Sequence, residues 1–305
     1  MESNIWNRII FTFGLIGLAH VPALRAESPL FERTLPVSLK DPVKLDIAIA
    51  KGDLTIAYSR EGQVTIYAFA KDEDGDYTPK NLVEALLSIE QRANYIAIRD
   101  SSKVPLAEAA GVSFRIDVPL HTELNSSISG NGKQVIVGIT GPANVVSGSG
   151  DIEATWIRFG LFKASTGKGR ITCTRLTQLD VETKIGNITL MEDGPSTAAV
   201  KQGAGTIEVG GARGVVKAST DGGEIHIKAV NWDDWQLTSA SGNIRIELPP
   251  EAKFHANMST TSGAITVWRT DMHEPPEGAH QLSQAVNGGG KHIEARSNAG
   301  HISIE

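Results

Sequence analysis

Between residues 143 and 304 the chain alternates apolar and polar positions in short runs, and a glycine breaks each run. The glycines are Gly150, Gly169, Gly186, Gly205, Gly223, Gly242, Gly263 and Gly300, at steps of 19, 17, 19, 18, 19, 21 and 37 residues. The last step is about two periods with an insertion, and a period near 20 marks a stacked repeat. Two residues after each glycine stands an isoleucine: Ile152, Ile171, Ile188, Ile207, Ile225, Ile244, Ile265 and Ile302. Four residues after stands an apolar residue and between the two a polar one, the period-two alternation of a half-buried strand. Seven and five residues before the glycines all sixteen positions are apolar, from Ala143 and Val145 to Ile293 and Ala295. Each unit therefore reads as strand, tight corner, strand, with four side chains turned inward. One such unit has nothing to bury its apolar face against, whereas stacked units bury it on one another. The pattern predicts an all-β fold, a parallel β-solenoid (β-helix) with rungs of about 18–19 residues, about 4.8 Å apart.

The glycine reads as a backbone corner, where a residue without Cβ takes conformations that others cannot. Three residues before it stand Ser147, Thr166, Thr183, Gln202, Thr220, Ser239, Thr260 and Ser297, placed to satisfy turn amides or to form a hydrogen-bonded ladder. A phosphate cradle is excluded, because GxxxxGK[ST] is absent. A calcium column is excluded as well, because the residue after the glycine changes from Asp151 to Arg170, Thr206 and Ala264.

Upstream the pattern is looser. VKLDIAIAKGDLTIAY (43–58) forms a rung around Gly52, and QVTIYAFA (63–70) reads as a strand. TPKNLVEALL (78–87), with Thr78 as N-cap and Pro79 at the first helical position, predicts a short helix. LSIEQ and YIAIRD predict a hairpin turning through Arg92–Asn94. SFRIDVP (113–119) predicts a strand leading to a degraded rung around Val135 and Val137. Residues 27–120 are thus the less regular N-terminal β region of one body, 121–305 the regular solenoid, and 269–291 a loop insertion before the last rung.

Residues 1–26 read as a signal peptide: Arg8, an apolar run from Ile9 to Val21, and a small residue at the cut, after Ala26 or Ala23. The run falls short of the roughly 20 residues that span a bilayer, so no stable membrane span is expected after cleavage. The net charge of −6, without a Lys/Arg cluster, argues against a nucleic-acid partner. The single cysteine, Cys173, excludes a disulfide framework and, standing in an inward column, reads as a small core residue.

Candidate chemistry is sparse. Glu208, His226 and Arg245 occupy successive rungs of one outward column and form a tentative ligand or partner face, or else a charge ladder on the surface. Trp156 and Trp232 fall outside the inward columns and offer rings for sugars or pack under loops. His273 and His280, with Glu274 and Glu277, share a loop, but no spacing marks a metal centre, and DEDGD (72–76) has Tyr77 where a calcium loop needs glycine. The sequence therefore assigns no catalytic, cofactor-binding or metal-ligating residue.

GDLTIAY near the start, RIDVP before the repeats, the SGSGDIEA-like units and the closing NGGGKHIEARSNAGHISIE resemble the bacterial putative-adhesin family of β-solenoid domains, LiaG-like proteins included. The resemblance spans roughly residues 40–305, and the ending is its most specific part. It implies an extracytoplasmic solenoid with no catalytic motif. The expected function is non-enzymatic binding or scaffolding in the periplasm or at the cell surface, with an envelope protein or polysaccharide as partner. Two alternatives stand: a carbohydrate-active β-helix enzyme, and a self-assembling element that associates through the solenoid end at HISIE, where an open strand edge would template pairing.

Overall fold

Parallel strands that repeat the same inward residues can stack without limit, and here they do so in two facing sheets. The computed structural model describes residues 29, 31–70, 87–100, 112–191, 197–231 and 233–305. The expected signal peptide, DEDGD, Trp232 and all of the expected helix except Leu87 lie outside them. Leu87 itself opens a strand, and among the described residues there is no helix. Each sheet has 13 strands. Sheet I collects the strands that follow the corner glycines, and sheet II those that precede them.

At the N-terminal end, β1 (Phe31–Pro36) and β4 (Gln63–Ala70) run antiparallel and close sheet I. Strands β2 (Val43–Ile49) and β3 (Asp53–Tyr58) form the rung around Gly52. The hairpin of β5 (Leu87–Arg92) and β6 (Tyr95–Asp100) closes sheet II, and β7 (Val112–Val118) pairs in parallel with β3. From β8 (Thr122–Asn131) and β9 (Gln134–Val137) onward the rungs succeed one another in register. Examples are β10 (Ala143–Ser149) on β12 (Leu161–Lys168), and β11 (Ile152–Thr155) on β13 (Ile171–Thr174).

The columns predicted as inward are buried, except that Val267 in the edge strand is half-buried. All eight isoleucines after the glycines lie in the core, as do all sixteen apolar positions before them. Burying one such side chain contributes about 1.5–3 kcal/mol, so the ladder accounts for the stack. The degraded rung around Val135 and Val137 is β9, and its inward residues are Gln134 and Ile136. A buried glutamine is tolerated because Ser126 Oγ donates to its Oε1 (2.6 Å) and its Nε2 donates to the Val146 carbonyl (2.8 Å).

The predicted order of the last rungs is also corrected. Strands β20 (Trp235–Ser239) and β21 (Ile244–Glu247) are not followed in space by β22 (Phe254–Thr260) and β23 (Ile265–Val267). The chain leaves a gap one rung high, turns back through β24 (Gln281–Val286), and fills the gap with β25 (Lys291–Ser297) and β26 (Ile302–Ile304). HISIE is therefore an interior rung, with Ile302 between Ile244 and Ile265. The 269–291 insertion carries a strand of its own, β24, which runs antiparallel to β22 and closes sheet II. The open edges left at this end are β23 in sheet I, three residues long, and β24 in sheet II, six residues long.

The corner glycines answer to space more than to torsion. A Cβ on Gly242 would sit 1.7 Å from the Gly223 carbonyl oxygen of the rung below. The hydroxyl column stitches these corners. Ser239 Oγ accepts the Gly242 N–H (2.7 Å) and donates to the Gly223 carbonyl (3.3 Å), and Thr260 and Ser297 repeat both bonds.

Candidate functional site

The outward column of sheet I places Glu208 opposite His226, and His226 opposite Arg245. What joins the last two is a residue that the column did not include. Glu247, at the end of β21, accepts from His226 Nε2 (2.8 Å), Lys228 Nζ (2.9 Å) and Arg245 Nη2 (3.0 Å). Arg245 also pairs with Glu305 at 3.0 Å. The bond from Lys228 outweighs burial, and His226 adds to it, so the Glu247 carboxyl is held below its ordinary value. With a lysine, an arginine and an imidazole on one carboxylate the cluster is a surface tie between rungs. Glu208 is exposed beside it.

A recessed surface lies on the outer face of sheet II, near the N-terminal end. It is a groove of about 400 Å³, with Tyr95 and Leu161 among its walls and Asp46, Asn125, Asn144 and Lys163 along it. Strict register brings these residues into line: Asp46 lies opposite Asn125, Asn125 opposite Asn144, and Asn144 opposite Lys163. The polar groups are chained. Tyr95 Oη donates to Asp46 Oδ2 (2.9 Å), Arg99 donates to the same oxygen, and Asn125 Nδ2 donates to Oδ1 (3.0 Å). Asn144 Nδ2 in turn donates to Asn125 Oδ1 (2.9 Å). Burial alone would raise the Asp46 carboxyl, but the bonds from Arg99, Tyr95 and Asn125 prevail and lower it. The carboxylate raises the Tyr95 hydroxyl in return. The result is a rigid row of oriented amides beside an aromatic wall, with Lys44 and Glu123 (3.6 Å apart) at its margin.

The remaining sequence candidates separate cleanly. Cys173 is fully buried in the core. His280 Nδ1 lies 3.1 Å from the Gly263 carbonyl, and the His273 amide donates to Gln284 Oε1 at 3.1 Å. Among the described residues no group of three His, Cys, Asp or Glu side chains is placed to hold a metal ion. Trp156 is 48% exposed at the turn after β11, with the guanidinium carbons of Arg158 and Arg175 at 5.3 and 5.9 Å from its ring centroid.

The model of the family described as Toastrack DUF4097 matches residues 43–305. No curated protein matches the chain. Among solved structures, a putative adhesin from Bacteroides fragilis NCTC 9343 is 14% identical, with 90% of this chain and 95% of that one covered and a TM-score of 0.42. A putative adhesin from Parabacteroides distasonis ATCC 8503 is 9% identical, with 90% and 96% covered and a TM-score of 0.46. A putative lipid binding protein from the same organism is 14% identical, with the same coverage and a TM-score of 0.46.

Proposed function

The chain belongs to the Toastrack DUF4097 family, and on that premise we propose that it is a non-enzymatic binding module of the bacterial cell envelope or surface. The observation that carries this reading is the groove on sheet II. Its hydrogen-bonding groups come from separate rungs, are already oriented by one another, and sit on sheet strands that do not need to reorganise. Preorganised polar groups of that kind lose little entropy when a ligand arrives. A row of amides and carboxylates beside a tyrosine suits a ligand with many hydroxyls, so an envelope polysaccharide is the proposed occupant. The leader-like residues 1–26 support placement outside the cytoplasm.

Calorimetric titration of the mature chain with envelope polysaccharide fractions tests the reading. Asn144→Ala and Tyr95→Ala should each weaken binding about tenfold, the loss expected for one or two hydrogen bonds, and should leave the melting midpoint in place. Unchanged affinity in both variants would remove the groove from the account. Turnover of the polysaccharide, abolished in Glu208→Gln, would replace binding by catalysis.

A further inference from the structure

Apolar side chains left in water are informative when they gather on one surface. Among the described residues twelve large apolar side chains are exposed; Tyr95 and Leu161 line the groove, Val146 and Ile185 stand on strands of sheet II, and the other eight lie along one long edge, where the strands of sheet I end. Leu39, Leu120, Trp156, Phe159, Val230 and Trp268 mark its course. The stack has eleven parallel rungs, so this edge is about 50 Å long at the usual strand spacing. The opposite edge, at the corner glycines, is packed backbone against backbone.

The backbone singles out one point on this edge. Six residues after the corner position, four rungs place a left-handed residue in the turn leaving sheet I, Gly138 (φ 76°), Trp156 (61°), Arg175 (60°) and Gly211 (69°), whereas Ala229, Leu248 and Arg269 at the same position are not left-handed. Glycine takes that conformation at no steric cost, and a bulky side chain there is an outlier. Three residues on, Phe159 is also left-handed (φ 59°) and is 84% exposed, the most of any large apolar residue described. Strain kept at an exposed aromatic pair points to a surface role rather than to folding. The exposed Arg158 stands between the two rings in sequence and puts its guanidinium against the Trp156 face.

We infer that the Trp156–Phe159 turn docks this edge onto an anionic lipid surface, Phe159 entering the acyl boundary, Trp156 lying at the headgroup level and Arg158 pairing with lipid phosphate. Tryptophan favours the interface of a bilayer, and a basic residue beside it is drawn to anionic headgroups. A sugar would need an open ring face, whereas guanidinium groups stand over the Trp156 ring. The inference is independent of the groove, which lies on the outer face of sheet II.

Co-sedimentation of the full mature chain with vesicles tests it. Vesicles containing phosphatidylglycerol should bind at least about tenfold more chain than phosphatidylcholine alone, and salt should weaken the binding. Arg158→Gln should lower partition about fivefold. Phe159→Gly should abolish it while leaving the melting midpoint equal or higher, because glycine relieves the left-handed strain. Asn144→Ala in the groove should leave vesicle binding intact. Absence of binding to phosphatidylglycerol vesicles, or equal binding by Phe159→Gly and the parent, would overturn the inference. So would capture of the same turn by an acidic polysaccharide with the vesicles left bare.

Discussion

Gly222 and Gly223 are adjacent in sequence, and the stack should make their replacement by alanine a test of its corner geometry. A Cβ on Gly223 would stand 1.8 Å from the Gly205 carbonyl oxygen and 2.9 Å from the carbonyl carbon, both backbone atoms of the rung below. Reaching even 3.0 Å requires the two rungs to part locally by about 1.2 Å, a quarter of the roughly 4.8 Å between them. That parting stretches the Glu224 N–H bond to the Gly205 carbonyl (3.1 Å), which crosses between the two rungs. Overpacking and the weakened bond together should lower stability by about 3 kcal/mol. At Gly222 the nearest atoms to a new Cβ are 3.7 and 3.8 Å away, and φ lies outside the left-handed region. Gly222→Ala should therefore be neutral, or stabilise by about 0.4–1 kcal/mol through the unfolded chain. Urea unfolding followed by circular dichroism gives both midpoints under one condition. Equal shifts in the two variants would refute the argument that close rung approach selects the corner glycine.

Other consequences are open to measurement. Ile225→Asp should cost about 3 kcal/mol or more, because it places an unpaired carboxylate between Ile207 and Ile244. His226→Asn next to it should cost about 1 kcal/mol or less, since only a half-exposed bond to Glu247 is lost. The Glu247 carboxyl, lowered from its ordinary 4.5 in the folded chain, contributes stability that is full above that value and is lost as pH falls through the folded value. Glu247→Gln should thus be less stable at pH 7 and show a flatter acid limb in urea titrations. Deleting residues 291–305 removes β25 and β26 and leaves β21 and β23 about two rung spacings apart. Limited proteolysis of that variant should cut between residues 248 and 281 at protease levels the parent resists, whereas equal resistance would contradict the intercalated order.

The repeat was legible because every rung asks for the same chemistry at the same place. Isoleucine two residues after the glycine is buried in every copy, and Ser239, Thr260 and Ser297 three before it make the same bond to the corner amide. That uniformity also hid the order of the final rungs: Ile302 fits against Ile244 or Ile265 equally well, so no side chain announces that the chain leaves a gap and returns to it. At β9 the rung around Val135 and Val137 turns Gln134 and Ile136 inward, and only Ser126 and the Val146 carbonyl, distant in sequence, make a buried glutamine acceptable. The groove escaped notice for a different reason. Asp46 and Asn125 are 79 residues apart, and only the pairing of β2 with β8 makes them neighbours. Glu247 is the last residue of β21 and Phe159 lies in the turn after β11, where the columns lose their periodic constraint and sequence pattern says least.

The claim on which the functional account depends most is that this solenoid works outside the cytoplasm. Protease treatment of intact cells, of cells with an opened envelope and of fully lysed cells, followed by N-terminal mass analysis of the surviving chain, tests it directly. The account predicts digestion in intact cells or on opening the envelope, with the chain beginning after Ala26 or Ala23. A chain that still carries residues 1–26 and resists protease until the cytoplasm is released would contradict it.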